Sequence, residues 1–282
     1  MSIRILTDSA ADFTAKERAA YNLSFVPLQV IFGGETFLAG QTLSRDEFWA
    51  RLLAGENPTT SQPSPEAFLH VFEDAKDAGD EVLYIALSSA LSGTIQSAMI
   101  AASMADYDGI HIVDSLSATI GQKLLTLAAC RMREEGTPCA AEIAQEITKL
   151  RSRLRVFANV DTLEYLARGG RLSKAAGAIG TLAQLKPQIM INDEGKVEVI
   201  GKAIGRHRAI DALVKKAASF SVDTAHPVIP VYSYDKENTE AFMSKLENAG
   251  IRADASLLTD LGPAIGTHIG PNAYGLAFIE EA

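Results

Sequence analysis

Residues 81–105 have the sequence EVLYIALSSALSGTIQSAMIAASMA, and this stretch decides the fold class. Its apolar run from Glu81 to Leu87 predicts a buried strand, its Ser/Gly-rich segment 88–94 predicts a turn, and the remainder predicts a helix. Comparable strands are expected at Ile3–Thr7 and Ile110–Val113, with helical patterns between them. Strands that alternate with helices favour a mostly parallel sheet covered by helices on both faces.

The pattern changes after about Arg155. A hairpin is predicted over residues 188–200, with its turn at Asn192-Asp193-Glu194-Gly195, and further helices and short strands follow. We therefore predict two domains: an N-terminal α/β domain (residues 1–153) and a C-terminal α+β domain (residues 154–282) with an antiparallel or mixed sheet. Two domains leave a cleft between them, which is a common place for a ligand.

The composition argues against several classes of protein. The chain has 282 residues and a formal net charge of −9, which does not suit a protein that coats nucleic acid. No stretch approaches the roughly 20 apolar residues of a membrane span, and the N-terminus lacks the apolar core of a secretory signal. Cys130 and Cys139 do not have the spacing of zinc ligands. We expect a cytoplasmic protein without metal or cofactor, and with at most transient membrane contact.

The turn Ser88-Ser89-Ala90-Leu91-Ser92-Gly93-Thr94 is the strongest candidate for a binding site. Where a helix begins after a buried strand, free N–H groups and the positive end of the helix dipole attract anions. The hydroxyls of Ser92 and Thr94 add hydrogen-bond donors. The alternative, which this segment taken alone favours, is that Ser92 only caps the helix.

Two further segments could supply hydrogen bonds to a ligand. Asn57–Pro65 contains Thr60 among several hydroxyl residues, and it is expected to be irregular, with Ser64 capping the next helix. Its alternative role is that of a stiff capping loop. Gly262–Gly275, with four glycines and two prolines, is expected to be a constrained loop that presents His268 as a hydrogen-bond donor or general base. A buried structural histidine is an equally open interpretation.

Carboxylates at strand ends offer an alternative function. Asp8 and Asp114 follow predicted strands, at the sheet edge where α/β proteins bind ligands, and together with Asp12 they could bind Mg²⁺. Capping of turns and helices by these residues is the favoured interpretation. His268 with Asp8 or Asp114 could serve a stand-alone small kinase or a hydrolase. However, the chain has no G-x-S-x-G, P-loop or Rossmann fingerprint, so no complete catalytic set is visible.

Two basic segments stand out in this acidic chain. Arg168 and Arg171 flank Gly169-Gly170 at a predicted helix end, and the run Lys202–Arg208 contains three more basic residues besides His207. They could form a patch that binds a phosphate or an acidic partner. The alternative is a helix closed by a left-handed Gly169, with solvated arginines around it.

Taken together, these segments resemble the DegV family. Any one motif is weak, but the set occurs in the family's order over almost the whole chain. The matching motifs are Thr7-Asp8-Ser9-Ala10-Ala11-Asp12, Thr60-Ser61-Gln62-Pro63-Ser64, Leu91-Ser92-Gly93-Thr94, Val113-Asp114-Ser115, Arg168-Gly169-Gly170-Arg171-Leu172-Ser173, Lys186-Pro187 and Gly266-Thr267-His268-Ile269-Gly270-Pro271. The resemblance implies a two-domain α/β fold with a long-chain fatty acid, such as palmitate, buried between the domains.

The resemblance also implies which residues bind this fatty acid. Ser92 and Thr60 would bind its carboxylate, with Gly93 and Thr94 in the same turn as Ser92. His268 would approach the carboxylate directly or through water. A buried carboxylate needs several such hydrogen bonds to offset its desolvation, and each buried CH₂ of the tail contributes about 0.8 kcal/mol.

A partner protein is implied as well. Some family members are the fatty-acid-binding subunit of a bacterial fatty acid kinase, which present the carboxylate to a separate ATP-dependent kinase and carry the acyl phosphate onward in lipid metabolism. Arg171 and Arg168 would face that kinase, while the resemblance assigns no role to Lys202–Arg208. The implied protein is a lipid-binding carrier and not an enzyme; a regulatory or interaction module is a third hypothesis.

Overall fold

The computed structural model describes residues 2–137, 139–172 and 185–282. Within these ranges the strands are β1 (Ile3–Asp8), β2 (Leu23–Val26), β3 (Gln29–Phe32), β4 (Glu35–Leu38), β5 (Thr59–Ser61), β6 (Glu81–Ala86), β7 (Ile110–Asp114), β8 (Leu154–Asn159), β9 (Leu185–Ile191), β10 (Val197–Ile204), β11 (Ile229–Tyr232), β12 (Thr259–Asp260) and β13 (Tyr274–Ile279). The α-helices are α1 (Ala15–Ala20), α2 (Arg45–Leu53), α3 (Pro65–Ala78), α4 (Thr94–Ala105), α5 (Thr119–Glu134), α6 (Ala140–Arg151), α7 (Glu164–Arg168), α8 (Arg206–Ala217), α9 (Glu237–Asn248) and α10 (Pro263–Ile269). Short 3-10 helices occur at Ser9–Ala11 and Ala255–Leu257.

Four strands form a parallel sheet in the order β2-β1-β6-β7. Helices α3 and α4 cover one face of it, where Phe68 and Phe72 of α3 pack with Leu6 of β1 and Tyr84 of β6. Helices α5 and α6 contact β6 on the other face of the sheet. The central strands are therefore buried on both sides, as their apolar sequences predict, and the parallel sheet is confirmed.

Six strands form a mixed sheet in the order β10-β9-β8-β13-β11-β12, in which only the β11–β12 pair is parallel. Helices α8 and α9 pack on it, and α5 contacts β8, β11 and β13. Helix α5 thus lies between the parallel and the mixed sheet and contributes to the core that joins them. The mixed sheet is confirmed, while a domain boundary between residues 153 and 154 stays a prediction.

A small antiparallel sheet, β4-β3-β5, lies beside these two. Its strand β3 follows β2 after a break at Pro27-Leu28, because proline has no N–H to donate to a ladder and the N–H of Leu28 instead binds Ser9 Oγ at 2.9 Å. This sheet places Thr60 of β5 directly opposite Val30 of β3.

Two segments that sequence patterns predict to be irregular are regular. Thr59–Ser61 is strand β5, because it pairs with a strand about thirty residues earlier, which local sequence does not reveal. Gly262–Ile269 is not a loop but the N-cap and body of α10, with Pro263 at its first position. His268 therefore lies on a helix, and the predicted presenting loop was wrong.

The described helices include none that is both long and apolar enough to cross a membrane.

Candidate ligand-binding site

A cavity that opens to solvent lies between the parallel and the mixed sheet. Most of its wall is apolar and comes from α5, α10 and the strands of the mixed sheet. The apolar residues that line it are Leu28, Leu87, Leu91, Ala118, Ile120, Val156, Phe157, Ala158, Leu166, Ile189, Met190, Ile191, Val197, Val231, Leu261, Ala264, Ile265, Ile269 and Ala273. An apolar wall with few polar groups suits a largely apolar small molecule.

The polar and charged residues on the cavity wall are few. Thr60, Ser92, Arg171 and His268 line it, together with Thr119 and Tyr274. We call the first four the polar cluster. Its members come from β5, the turn before α4, the segment after α7, and α10, so the tertiary structure brings together groups from four separate parts of the chain.

Thr60 and His268 are in direct contact. Thr60 Oγ1 lies 2.7 Å from His268 Nε2, although the two residues are 208 positions apart. Burial, followed by the nearby Arg171 guanidinium, lowers the pKa of His268 to about 4, so its imidazole is neutral at neutral pH. The other nitrogen, Nδ1, is buried and has no hydrogen-bond partner among the described residues. It packs so closely on Gly169 that a Cβ there would lie 2.1 Å from it.

The Ser92 turn differs from the simple helix cap. Helix α4 begins at Thr94 with Gly93 as its N-cap residue, and Ser92 precedes the cap. Ser92 Oγ lies 2.8 Å from Thr94 Oγ1 and accepts a hydrogen bond from the Thr94 N–H at 3.3 Å. Ser92 lines the cavity, whereas the predicted ligands Gly93 and Thr94 do not, and Thr94 is fully buried. Thr94 therefore holds the Ser92 hydroxyl in place.

Gly93 has a steric role. A Cβ at this position would lie 2.0 Å from Gln62 Oε1, so a larger residue here would displace the end of the Gln62 side chain. Gln62 Nε2 in turn donates to Ser97 Oγ on α4 at 2.9 Å. The Thr60 segment and the Ser92 turn are thus packed against each other through Gln62.

Arg171 belongs to the cavity wall. Its Nε donates to the carbonyl of Leu91 at 3.0 Å, next to Ser92, and its Nη1 donates to the carbonyl of Gly169 at 2.5 Å. Its guanidinium has no carboxylate partner among the described residues. Burial lowers the pKa of Arg171, but an arginine stays charged at neutral pH. The polar cluster therefore contains one positive charge and three neutral hydrogen-bonding groups.

Arg168 has different surroundings from Arg171. It is exposed, pairs with Glu164 at 2.6 Å, donates to Asn57 Oδ1 and lies over the Tyr165 ring. The helix end between the two arginines has Gly169 in a right-handed conformation, and Gly170 is the left-handed residue, with φ of +70°. The interpretation that placed Gly169 in the left-handed position was wrong. Ser173 of the same motif lies outside the described residues.

The basic run Lys202–Arg208 does not line the cavity. It spans the end of β10 and the start of α8, where Arg206 pairs with Glu237 at 3.0 Å.

Asp8 and Asp114 have structural partners that leave neither in contact with His268. Asp8 is fully buried and accepts hydrogen bonds from Tyr84 Oη at 2.6 Å, from the N–H groups of Leu87 and Ala10, and from Gln122 Nε2. Asp114 accepts from the N–H of Leu116 at 2.9 Å. Both close turns at strand ends, and in the part of the chain that the structure describes no group of acidic, His or Cys side chains could hold a metal ion.

Thr119 is a cavity-lining residue that no sequence pattern singled out. It is the first residue of α5 and has a φ of +47°, which is unusual for a β-branched residue. For Arg171, the sequence signal was present in the Gly-Gly-Arg motif, but it did not reveal that the side chain faces the cavity.

Comparisons with known proteins agree with this architecture. A family model described as "Uncharacterised protein, DegV family" matches residues 2–281. A DegV domain-containing protein of Caldanaerobacter subterraneus subsp. tengcongensis is 36% identical over 283 residues, which are 99% of this chain and 99% of that protein.

Two solved structures are similar over nearly the whole chain. A fatty-acid-binding DegV family protein from Thermus thermophilus is 32% identical with a TM-score of 0.88, over 100% of both chains. A fatty acid (stearic acid)-binding protein from Eubacterium ventriosum is 29% identical with a TM-score of 0.89, over 99% of this chain and 98% of that one.

Proposed function

The chain belongs to the DegV family, and on this premise we propose that it binds a long-chain fatty acid, such as palmitate, in the cavity between its sheets. One observation carries the proposal: a mostly apolar cavity contains the small polar cluster of Thr60, Ser92, Arg171 and His268. Such a cavity matches an amphipathic ligand with one polar end. Similar proteins of known structure bind fatty acids, stearic acid among them.

The polar cluster has the chemistry that a carboxylate needs. In our proposal the hydroxyls of Thr60 and Ser92 donate hydrogen bonds to the carboxylate, and neutral His268 donates from a ring nitrogen or through a water molecule. Thr94 orients Ser92, and Gly93 keeps the Thr60 segment close to the turn. Charge-assisted hydrogen bonds of this kind offset the desolvation of a buried carboxylate.

The apolar wall supplies most of the binding free energy. Each buried CH₂ of the ligand contributes about 0.8 kcal/mol, so a long acyl tail binds far more strongly than a short carboxylic acid. The direct test is extraction of lipid from freshly purified protein, followed by mass spectrometry, together with native mass spectrometry of the intact complex. An acyl chain in stoichiometric amount is expected, and a protein that neither retains nor rebinds any fatty acid would contradict the proposal.

We further propose that the protein, in the cytoplasm, presents the carboxylate to a separate ATP-dependent fatty acid kinase and carries the product onward. In that step a carboxylate oxygen attacks the γ-phosphorus of ATP, a mixed anhydride forms, and ADP leaves. Exposed Arg168 would contact the partner, while Arg171 would reach both the partner and the head group. Support comes from Arg171, which lines the cavity and donates to the Leu91 carbonyl, and from Arg168, which is exposed three residues earlier in the chain.

The kinase proposal has a test of its own. Arg168→Ala should reduce phosphoryl transfer by a reconstituted kinase without changing fatty acid affinity, because Arg168 does not line the cavity. The matched control is Arg252→Ala, which removes an exposed arginine far along the chain from this site. If Arg168→Ala and Arg252→Ala support equal transfer rates, Arg168 is not a partner contact.

A stand-alone kinase or hydrolase is less well supported. That alternative pairs His268 with Asp8 or Asp114, but His268 contacts the Thr60 hydroxyl, and the two carboxylates bind main-chain and side-chain groups elsewhere.

A further inference from the structure

Helix α10 carries His268 and contributes four of the residues that line the cavity, namely Ala264, Ile265, His268 and Ile269. The helix has only seven residues, and its own N-cap residue, Gly262, has no side chain to cap it. A helix this short does not hold its position by itself. The placement of His268 therefore depends on the contacts that α10 makes with other parts of the protein.

Asp12 binds the N-terminal end of α10 through a hydrogen bond. Its Oδ1 accepts a hydrogen bond from the N–H of Gly262 at 2.8 Å, across 250 positions of sequence. The fit is close, because a Cβ at Gly262 would lie 2.9 Å from that oxygen. Asp12 is 2% exposed, so water does not substitute for it at this contact.

Asp12 is itself held firmly. It has a left-handed backbone, with φ of +56°, and its carbonyl accepts from Arg45 Nη2 at 3.1 Å. The same guanidinium donates from Nε to the carbonyl of Asp260 at 3.1 Å, two residues before Gly262. Arg45 thus binds both segments that meet at this contact, the one with Asp12 and the one that leads to Gly262. Asp12 also lies beside Thr119, which lines the cavity from the first turn of α5.

The middle and the far end of α10 have their own contacts. At Gly266 a Cβ would lie 2.6 Å from Phe48 Cε1 and 3.0 Å from Trp49 Cη2, so α10 packs directly on α2. At the far end His268 meets Thr60. The helix is therefore held at both ends and at its middle, and Asp12 is the polar anchor at the end opposite His268.

From this arrangement we infer that Asp12 is a positioning residue for the head-group site: through the Gly262 N–H it fixes α10, and through α10 it holds His268 against Thr60. The inference rests on the proposed fatty acid function. Asp12 does not touch the ligand. Its effect on binding passes through His268, and that route distinguishes it from a residue that only stabilises the fold.

The test compares variants at both sides of the contact. Asp12→Gly keeps the left-handed backbone and removes the acceptor, and Gly262→Ala places a methyl group against Oδ1. Each should weaken binding of palmitate to delipidated protein about 10-fold, the lower end of the loss seen when a group that orients a metal-binding side chain is removed. Asp12→Asn retains an acceptor oxygen in an αL-tolerant residue and should bind like the wild type.

The matched control is Asp106→Gly. Asp106 also has a left-handed backbone, with φ of +49°, but it is exposed at the end of α4 and outside the cavity wall. The Asp106→Gly variant should bind palmitate with the same affinity as the wild type. If Asp106→Gly weakens binding as much as Asp12→Gly does, the loss is a general consequence of the glycine substitution and the inference fails.

A double-mutant cycle tests the route through His268. The double variant Asp12→Gly with His268→Gln should bind palmitate less than twofold more weakly than His268→Gln alone. The reason is that the imidazole positioned by Asp12 is already absent. Fully additive losses would overturn the inference. If Asp12→Gly does not fold, Gly262→Ala enters the same cycle in its place. If wild type binds no fatty acid, the proposed function fails; if wild type binds and both variants match it, only the role of Asp12 fails.

Discussion

The polar cluster and the apolar wall of the cavity are built in different ways. The cluster consists of Thr60, Ser92, Arg171 and His268, each from a short segment, whereas much of the wall comes from the neighbouring strands β8 and β9. Strand side chains are fixed by a hydrogen-bonded ladder that tolerates exchange of one apolar residue for another. The cluster depends on four placements being correct together. We therefore expect binding to be sensitive at the cluster and tolerant at the wall.

The largest effect should come from removing both hydroxyls of the cluster. Ser92→Ala combined with Thr60→Val deletes two hydrogen bonds to a charged group, each contributing about 2 kcal/mol, so palmitate affinity should fall about 1,000-fold. Titration calorimetry or displacement of a fluorescent fatty acid measures this. The matched control is Ser103→Ala with Thr148→Val, two exposed positions on α4 and α6. Equal affinities for the two double variants would remove the head-group assignment.

The cluster should also respond to pH through His268. Its pKa is lowered to about 4 in the folded protein, chiefly by burial, against about 6.5 in the unfolded chain. Between these two pH values the unfolded state therefore binds more protons than the folded state. The contribution of His268 to the free energy of unfolding falls by about 3 kcal/mol as the pH drops from 6.5 through 4.

Urea unfolding of ligand-free wild type and His268→Gln at several pH values isolates this contribution. Asp12 and Asp260 act in the opposite direction, since burial raises the pKa of each to about 6 and favours the folded state below that pH. Only the difference between wild type and His268→Gln is therefore diagnostic. If the difference in free energy of unfolding between wild type and His268→Gln does not change with pH, His268 titrates normally and is not buried in a neutral form.

The wall should respond to ligand length. Each added CH₂ should raise affinity about fourfold, at about 0.8 kcal/mol, until the cavity is full, and further carbons should then add nothing. A series of saturated fatty acids from ten to twenty carbons, measured on delipidated protein, locates that limit. A flat series would show that the tail is not enclosed by the wall.

The smallest effect should come from a conservative change in the wall. Ile191→Val removes one methylene from β9 at the cavity surface and should lower palmitate affinity by no more than about fourfold. The same assay as for the hydroxyl variants provides a direct comparison of the two regions. A loss as large as that of the double hydroxyl variant would contradict the distinction between a precise cluster and a tolerant wall.

Sequence patterns predicted the elements with strong local signals. The apolar run Glu81–Leu87, the turn after it and the hairpin around Asn192–Gly195 all occur in the structure, because their periodicity and turn residues act over a few neighbouring positions. Strand β5 and helix α10 were missed. Their regular structure depends on distant partners, β3 for one and Asp12, Phe48 and Trp49 for the other.

The sequence by itself determined the fold class and the family, and it identified Thr60, Ser92 and His268 as candidates. Such signals are local in the chain, and an ordered set of motifs adds specificity. Only the tertiary structure decided that Thr60 meets His268, that Arg171 faces the cavity, and that Gly93 gives room to Gln62. These are contacts between segments far apart in the chain, and they form only when the packed core fixes the positions of those segments.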